Sequence, residues 1–296
     1  MNRLLHAVVG LSLTLSFGLP NVVMAEENAL TRGTAELYSS CGGFLEAPVF
    51  DDNGSLWLLD VPGDRVLKIN AKGECVEKGK TGGAPNGAAF DSAGRLFLAG
   101  SQGILIFDQN DASISLVADS YQGELFGAAN DMVFTDNDDL YFTVPNDSNL
   151  FNPVGQTYYL AANSTEPVLF LDQLIFANGI ALSADQSAVL VAEFAAKRVV
   201  SKPAVGAQGF GVPMVYVYTE GNIGPDGITV DERGRLYVAN LGSSDIQVFE
   251  NNGVSLGTIK LPEEAGKMAS NVVVNNGFLY ITEAQKGDVW RVRLSD

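Results

Sequence analysis

One stretch occurs six times in this chain, and its spacing constrains the fold more than any other feature. Its fullest copy is GPDGITVDERGRLYVANLGSSDIQVFE, residues 224–250, in which short apolar runs alternate with an Asp-x-x-Gly turn and a glycine-containing loop. When the copies are superposed, each contributes one polar or charged residue at the same position, four residues before the end of its first apolar run. This polar column consists of Glu46, Asn86, Asn130, Asn178, Asp226 and Ser270.

The successive column residues lie 40 to 48 residues apart. A repeat of that length with several short strands is typical of a propeller blade. The apolar runs are rich in Val, Ile, Leu, Phe and Tyr and are separated by Asp/Asn-Gly turns, which favours strands and hairpins over helix pairs. The sequence therefore predicts an all-β chain, a single six-bladed β-propeller domain over residues 34–296. The last repeat contains only three strands, so a strand over residues 34–40 is expected to complete it and close the ring.

The first 25 residues have the pattern of a secretory signal peptide. Arg3 precedes an apolar stretch from Ala7 to Leu19, and small residues favour cleavage after Ala25. The apolar stretch is shorter than the roughly 20 residues that a membrane-spanning helix needs. The mature protein is thus expected in a periplasm or in the medium, without membrane insertion, and residues 26–33 are expected to form a flexible leader.

Composition excludes several classes of function. Acidic residues outnumber basic ones by 35 to 18, and a net charge of −17 repels nucleic acids and anionic lipid surfaces. The one histidine, His6, lies in the predicted signal peptide, so the mature protein has no Ser-His-Asp triad and no histidine-ligated metal. Export permits a disulfide, but the predicted blade places Cys41 and Cys75 at opposite faces, which argues against their pairing. We expect a monomer whose partner is a small molecule.

The inner strands of a propeller line its axis, so the column side chains are predicted to converge there. They offer carboxylate, amide and hydroxyl oxygens, which suit a hard divalent cation, Ca²⁺ before Mg²⁺ or Mn²⁺. Zn²⁺ is a further alternative, although a zinc site of the usual nitrogen and sulfur type is excluded. Without a cation, Glu46 and Asp226 would bring like charges into a partly desolvated funnel. An Asn or Asp at a repeated turn can also simply cap backbone amides, but Glu46 is poorly suited to that role.

The rim beside the column is predicted to include the last residues of the second strands, namely Asp60, Gly100, Val144, Glu193, Asn240 and Glu283. Two longer segments, residues 145–155 and 195–213, are predicted to emerge at the same rim, as expected for a ligand-binding face. Glu193 and Glu283 are secondary candidates for catalysis, and solvated surface positions are expected for both.

Four copies resemble, in order and spacing, motifs of the SMP-30/gluconolactonase/LRE-like (regucalcin-like) family. They are Glu46-Ala-Pro-Val-Phe, Asn130-Asp-Met-Val-Phe, Asn178-Gly-Ile-Ala-Leu-Ser-Ala-Asp and Pro225-Asp226-Gly-Ile. The resemblance implies a six-bladed propeller with lactone hydrolase activity and one divalent cation in the axial funnel. It implies that Glu46, Asn178 and Asp226 hold this cation and that Asn130 lies near both metal and substrate. Asn86 and Ser270 are the further substrate-binding candidates of the column.

The chain departs from the family motifs at two places. Ala128 stands where sugar lactonases commonly have an arginine, and Val144 stands where many members have an aspartate. Both changes remove groups expected to grip a polyhydroxylated substrate, which shifts the expectation toward a less polar lactone or ester.

If the chain is a lactonase, the ligand set implies that the cation polarises the lactone carbonyl. Asp226 would then assist the attacking water, since no histidine is available. Two alternatives stay open. One is a non-catalytic propeller that binds a small ligand or a protein partner around a structural ion. The other is a strictosidine-synthase-like relative that uses carboxylate chemistry without metal.

Overall fold

The computed structural model describes residues 30–207, 209, 211–221 and 223–295, so the predicted signal peptide lies outside the described residues. Over these ranges the chain forms six four-stranded antiparallel sheets and one two-stranded ribbon. The prediction of an all-β, six-bladed propeller is confirmed. Apart from one 3₁₀ turn at Phe194–Ala196, these ranges contain no helix, and thus none long and apolar enough to span a membrane.

The strands follow one another blade by blade, after an N-terminal strand β1 (Glu36–Ser40). Blade one contains β2 (Leu45–Phe50), β3 (Leu56–Asp60), β4 (Arg65–Ile69) and β5 (Cys75–Gly79). Blade two contains β6 (Pro85–Phe90), β7 (Leu96–Gly100), β8 (Gly103–Phe107) and β9 (Ile114–Ala118), and the ribbon β10 (Ser120–Tyr121) and β11 (Glu124–Leu125) follows it. Blade three contains β12 (Met132–Phe134), β13 (Leu140–Val144), β14 (Gly155–Leu160) and β15 (Val168–Leu174).

The second half of the ring repeats this order. Blade four contains β16 (Ala177–Leu182), β17 (Ala188–Glu193), β18 (Arg198–Pro203) and β19 (Met214–Tyr218). Blade five contains β20 (Gly224–Val230), β21 (Leu236–Leu241), β22 (Asp245–Phe249) and β23 (Ser255–Lys260). Blade six contains β24 (Ala269–Asn275), β25 (Phe278–Glu283) and β26 (Asp288–Arg293). The first strand of each blade contacts the first strands of both neighbouring blades, so the six first strands surround one axis.

The N-terminal strand closes the ring, as predicted. Strand β1 pairs antiparallel with β26, with Glu36 opposite Arg291 and Ser40 opposite Asp288. The guanidinium of Arg291 also lies 2.6 Å from the Glu36 carboxylate. The sixth sheet is therefore made from both ends of the chain, and its outermost strand is the first of the fold.

The prediction of a flexible leader over residues 26–33 is wrong for residues 30–33. Leu30 is buried among core side chains of blades five and six, and Thr31 forms an antiparallel bridge with Leu294. The backbone N–H of Arg32 donates to the carbonyl oxygen of Arg293 at 2.8 Å. One apolar side chain in an otherwise polar segment thus finds a buried position beside the closing strand. Residues 26–29 lie outside the described ranges.

The two cysteines form a disulfide, contrary to the expectation that they lie at opposite faces. Cys41 follows β1 in blade six, Cys75 begins β5 in blade one, and their Cα atoms are 5.4 Å apart. Adjacent strands in a sheet rotate by roughly 20–25° relative to one another, so an outer strand runs well away from the direction of its inner strand. The end of an outer strand can therefore lie away from the face of the propeller at which its strand direction alone would place it. The bond joins the last blade to the first.

The repeated Asp-x-x-Gly turns make the inner hairpins. In blade two, the Asp91 carboxylate accepts the backbone N–H of Arg95 at 2.8 Å and its Nε–H at 2.6 Å, while Gly94 adopts a φ of 74°. A φ in this region favours glycine because it has no Cβ. Asp231 and Arg235 repeat the arrangement in blade five. These turns place the start of each first strand and the end of each second strand at one rim.

The two long segments predicted at this rim differ in outcome. Residues 145–154 do connect β13 to β14 there, and the Ser148 hydroxyl donates to the carbonyl oxygen of Leu174 at 2.6 Å. The prediction is wrong for residues 195–213, because strand β18 runs through them and away from the rim. The long loop after β18 emerges at the other face, where the backbone N–H of Val205 donates to the Tyr141 hydroxyl at 2.8 Å.

Candidate active site

The inner strands are irregular at the polar column. The pairing of first and second strands shifts at the column in five blades, between Glu46 and Val49, Pro85 and Gly87, Ala177 and Ile180, Pro225 and Ile228, and Ala269 and Asn271. In blade three β12 begins only after the column, and the backbone N–H of Asn130 donates to the Thr143 carbonyl at 2.8 Å. A bulge of this kind re-aims a side chain without ending the strand.

Glycines after the column allow neighbouring blades to approach closely. A Cβ at Gly179 would overlap the carbonyl oxygen of Asp226, and one at Gly227 would overlap the side chain of Asn271. Only a residue without a side chain fits where the backbone of one blade touches the column of the next. These contacts explain why residues far apart in the chain meet in a small volume.

The predicted site residues divide into two groups by exposure. Glu46, Asn178 and Asp226 are buried, with 5%, 7% and 5% of their surface exposed. Asn86 and Asn130 are only partly buried. The three residues predicted to hold a cation thus lie deep, and the two amides predicted to contact substrate remain open to a ligand.

The carboxylates of Glu46 and Asp226 converge, as the column predicts. Burial raises the pKa of Glu46 well above its usual range, and the charges of Asp226 and Asp131 raise it further. Burial likewise raises the pKa of Asp226 to about 8, although the side chain of Asn178 is hydrogen-bonded to this carboxylate. Groups that influence one another in this way lie in one electrostatic cluster.

Sequence reasoning missed two residues of this cluster, Asp131 and Asn271. Asp131 is buried, and burial raises its pKa to about 7. Its two carboxylate oxygens accept the backbone N–H groups of Met132 and Ile180 at 2.8 and 3.2 Å. Both missed residues directly follow a column member, where the other blades have glycine or alanine. A polar residue at a position where the other repeats have glycine or alanine was the signal in the sequence that could have identified them.

Asn271 supports the carboxylate of Glu46. The side chains of Asn271 and Glu46 are hydrogen-bonded, which favours the ionised form of the acid. The Asn271 Oδ1 atom accepts the backbone N–H of Val272 at 2.8 Å, so the amide nitrogen remains for Glu46. Each of the two carboxylates, Glu46 and Asp226, is therefore hydrogen-bonded to a side-chain amide.

Ser270 has a structural position instead of the substrate contact predicted for it. Its side chain is fully buried, and its hydroxyl donates to the carbonyl oxygen of Leu45 at 2.6 Å and lies 2.9 Å from the Thr282 hydroxyl. A hydroxyl with both partners inside the protein is not free to bind a ligand. It ties blade six to blade one.

The donor set fits a hard divalent cation. Among the described groups that shift the pKa values of Glu46, Asp131 and Asp226, none is a lysine or an arginine. Within the described ranges, no set of three or more His, Cys, Asp or Glu side chains is arranged to hold a metal by itself. A cation at the axis would therefore need amide oxygen together with the carboxylates, as in the predicted set of Glu46, Asn178 and Asp226.

The rim carboxylates are not solvated, contrary to the prediction for Glu193 and Glu283. Both are fully buried. Each accepts the backbone N–H of the segment that enters its own blade, and Asp60 does the same: Phe44 to Asp60 at 3.0 Å, Ile175 to Glu193 at 2.7 Å and Met268 to Glu283 at 3.0 Å. Unpaired backbone N–H groups at these turns require an acceptor. The rim acids thus hold the entry segments in place.

A cavity of about 860 Å³ runs along the axis on the far side of the column from this rim. Its inner end is lined by Ala47, Asp131 and Asn271, and its outer end by turn residues such as Asp52 and Glu232. We place the candidate chemistry at the column and not in this cavity. Glu46 and Asp226 do not line this cavity, and buried carboxylates with displaced pKa values mark functional sites.

Comparisons with known proteins agree with this arrangement. A family model described as SMP-30/Gluconolactonase/LRE-like region matches residues 44–285. Lactonase drp35 of Staphylococcus aureus (strain MW2) is 31% identical over 256 residues, which cover 81% of this chain and 78% of that protein.

Two solved structures share the fold. A gluconolactonase from Xanthomonas campestris superposes with a TM-score of 0.78 at 23% identity, covering 92% of this chain and 93% of that one. A calcium-binding regucalcin from Agrobacterium tumefaciens strain C58 superposes with a TM-score of 0.74 at 16% identity, covering 88% and 94%. The resemblance seen in the motifs is confirmed, and this chain belongs to the SMP-30/gluconolactonase/LRE-like family.

Proposed function

We propose that the protein is a divalent-cation-dependent lactonase that opens a lactone ring at the axial column. The observation that carries the proposal is the convergence of Glu46, Asp131 and Asp226 in one buried cluster without a basic partner among the described groups. Negative charges that are buried close together repel one another, and a bound cation would relieve this repulsion. The sequence relatives that match most of this chain include lactonases.

Glu46, Asn178 and Asp226 would hold the cation, and oxygen ligands alone favour Ca²⁺ over Mg²⁺ or Mn²⁺. When bound, the cation would stabilise negative charge that develops on the lactone carbonyl oxygen. The hydrogen bond between Asn178 and Asp226 orients one of these carboxylates. Asn271 does the same for Glu46.

Asp226 is the proposed base. The oxygen of a water molecule bonds to the lactone carbonyl carbon while its proton passes to the Asp226 carboxylate. The ring C–O bond then breaks, and the released oxygen takes that proton to give the hydroxy acid. Burial raises the pKa of Asp226 to about 8 in the cation-free protein, and a bound cation would lower it again, so that the carboxylate would be ionised and able to accept the proton.

Asn130 and Asn86 are the proposed substrate contacts. Both belong to the column and are only partly buried. Their amide N–H groups would donate to the ring or carbonyl oxygen of the lactone. The buried ligands and the open amides together leave a place for a substrate on the rim side of the column.

Export remains part of the proposal. We propose cleavage after Ala25 and a periplasmic or extracellular location. The disulfide between Cys41 and Cys75 supports this, since such bonds persist in oxidising compartments.

The test is hydrolysis of a panel of small lactones by the mature protein, with and without a chelator. Glu46→Gln should abolish turnover and Ca²⁺ binding, because it removes one proposed ligand charge while keeping the side-chain size. Glu232→Gln is the matched control, since Glu232 is exposed at the far face. Turnover that survives the chelator and Glu46→Gln would contradict the proposal, and tight Ca²⁺ binding without turnover would favour a binding module.

A further inference from the structure

The residues two positions before the column form a second layer on its rim side, here called the mouth layer. Its members are Phe44, Ala84, Ala128, Phe176, Gly224 and Met268. None of these side chains has a charge, an N–H or an O–H group. The backbone of the layer continues the inner hairpins: Val61 N–H donates to Phe44 at 3.0 Å, Phe194 N–H to Phe176 at 3.0 Å and Ala284 N–H to Met268 at 2.8 Å. The layer is therefore held in register with the column.

The three large members, Phe44, Phe176 and Met268, are all only partly buried. Phe176 packs against Phe194 in a tilted arrangement, with ring centroids 5.3 Å apart and planes inclined by 44°. A Cβ at Gly224 would lie 3.2 Å from the Phe194 ring. An aromatic wall thus extends from the strand that carries Asn178 to the strand that carries Asp226.

The backbone at Phe176 is held in an unusual conformation. Its φ of 62° lies in the left-handed region, which an aromatic residue rarely adopts. Two hydrogen bonds fix it there, from the backbone N–H of Phe194 to Phe176 and from that of Ile175 to the Glu193 carboxylate at 2.7 Å. Backbone strain that the surrounding structure maintains is often found at ligand sites.

The three carboxylates of the rim are already engaged, whereas the buried side-chain amide of Asn240 has no hydrogen-bond partner among the described residues. The Asp60, Glu193 and Glu283 carboxylates accept backbone N–H groups of the entry segments. Val144 occupies the same rim position in blade three and is fully buried. A substrate with many hydroxyl groups would lose water at this mouth and meet carboxylates that are already hydrogen-bonded, so it would regain few hydrogen bonds there, and such a loss is unfavourable.

We propose that the mouth layer selects lactones that carry an apolar substituent over polyhydroxylated ones. This inference rests on the proposed lactonase function and names the substrate class of the same site. With the lactone carbonyl at the column, the substituent would extend along Phe176 and Phe194 toward the rim. The ring or carbonyl oxygen of the lactone would still accept hydrogen bonds from the Asn130 and Asn86 amides.

Three lactones with the same six-membered ring test the proposal. They are δ-decalactone with a pentyl substituent, δ-valerolactone with none, and glucono-1,5-lactone with hydroxyl groups. Each buried methylene is worth about fourfold in affinity, so a pentyl chain about half buried should raise kcat/KM roughly 30-fold over δ-valerolactone. Glucono-1,5-lactone should be the poorest of the three.

Phe176→Ala tests whether the preference for the pentyl substituent arises at Phe176. It should lower kcat/KM for δ-decalactone by about tenfold, mainly through KM, and change that for δ-valerolactone by less than about twofold, because only the first substrate reaches the wall. Phe44→Ala provides an independent second variant from blade one. Leu116→Ala is the control, an apolar truncation on the exposed outer strand β9, and should leave both substrates unaffected.

The outcomes separate this inference from the function on which it rests. Preference for glucono-1,5-lactone, or equal turnover of δ-decalactone and δ-valerolactone, would overturn the inference while the lactonase function stands. Equal losses on both substrates in Phe176→Ala and Phe44→Ala would show a structural role and overturn it as well. Absence of turnover on all three lactones would overturn both proposals together.

Discussion

Raising the pH of the cation-free protein from about 5 to about 8.5 should lower its free energy of unfolding. Glu46, Asp131 and Asp226 all have pKa values in the folded protein above those of exposed carboxyls, because burial disfavours their charged forms. The folded state therefore holds protons that the unfolded state has released. Stability is present below the unfolded pKa near 4 and is lost as the pH rises through the folded values of about 7 and about 8.

The size of the loss follows from the Asp131 carboxyl. Its pKa rises from 3.8 to about 7. Each pKa unit corresponds to about 1.4 kcal/mol, and the unfolded carboxyl is already ionised at pH 5, so only the roughly two units between pH 5 and the folded pKa contribute, which amounts to roughly 3 kcal/mol. Glu46 and Asp226 act in the same direction, but the three acids share one cluster and their effects do not add. A loss of roughly 3 kcal/mol is a substantial part of the 5–15 kcal/mol that stabilise a typical domain.

Urea unfolding followed by tryptophan fluorescence measures this, at both pH values, in chelator and in excess Ca²⁺. Glu46→Gln should flatten the pH dependence in chelator, because it removes one charge from the cluster, and it should also remove most of the stabilisation by Ca²⁺. Glu232→Gln should behave as the unchanged protein. A cation-free protein that is as stable at the higher pH as at the lower would refute this prediction, and so would a Glu46→Gln variant that keeps the full pH dependence.

Two further predictions concern contacts that hold the ring together. Replacing both Cys41 and Cys75 by serine should lower the free energy of unfolding by roughly 3–4 kcal/mol, because the bond closes a loop of 34 residues; a thermal melt unaffected by this change or by a reductant would refute it. Gly227→Ala should cost roughly 1–3 kcal/mol and weaken Ca²⁺ binding in calorimetry, since its Cβ would overlap the Asn271 side chain. Gly211→Ala, which meets nothing within 4 Å, is the control and should be neutral, and equal effects of the two would contradict the argument.

Local patterns were sufficient for the architecture. Turn chemistry and the alternation of apolar residues repeat with each blade, so the six blades, the hairpin turns and the N-terminal strand that completes blade six could be predicted. The column could be predicted for the same reason, since equivalent positions of a ring face a common axis. Convergence of Glu46 with Asp226 followed from repetition alone.

The sequence by itself determined how many blades form, how the ring closes and that Glu46 and Asp226 meet at its axis. Only the tertiary structure decided that Asp131 and Asn271 join them, because their orientation depends on a bulge and on contacts with the next blade. It also decided that Ser270 and Glu283 bind the protein's own backbone and that Cys41 reaches Cys75. Packing across the ring determines which residues of different blades become partners, and it determines the twist that brings outer strands together. A single copy of the repeat does not contain that information.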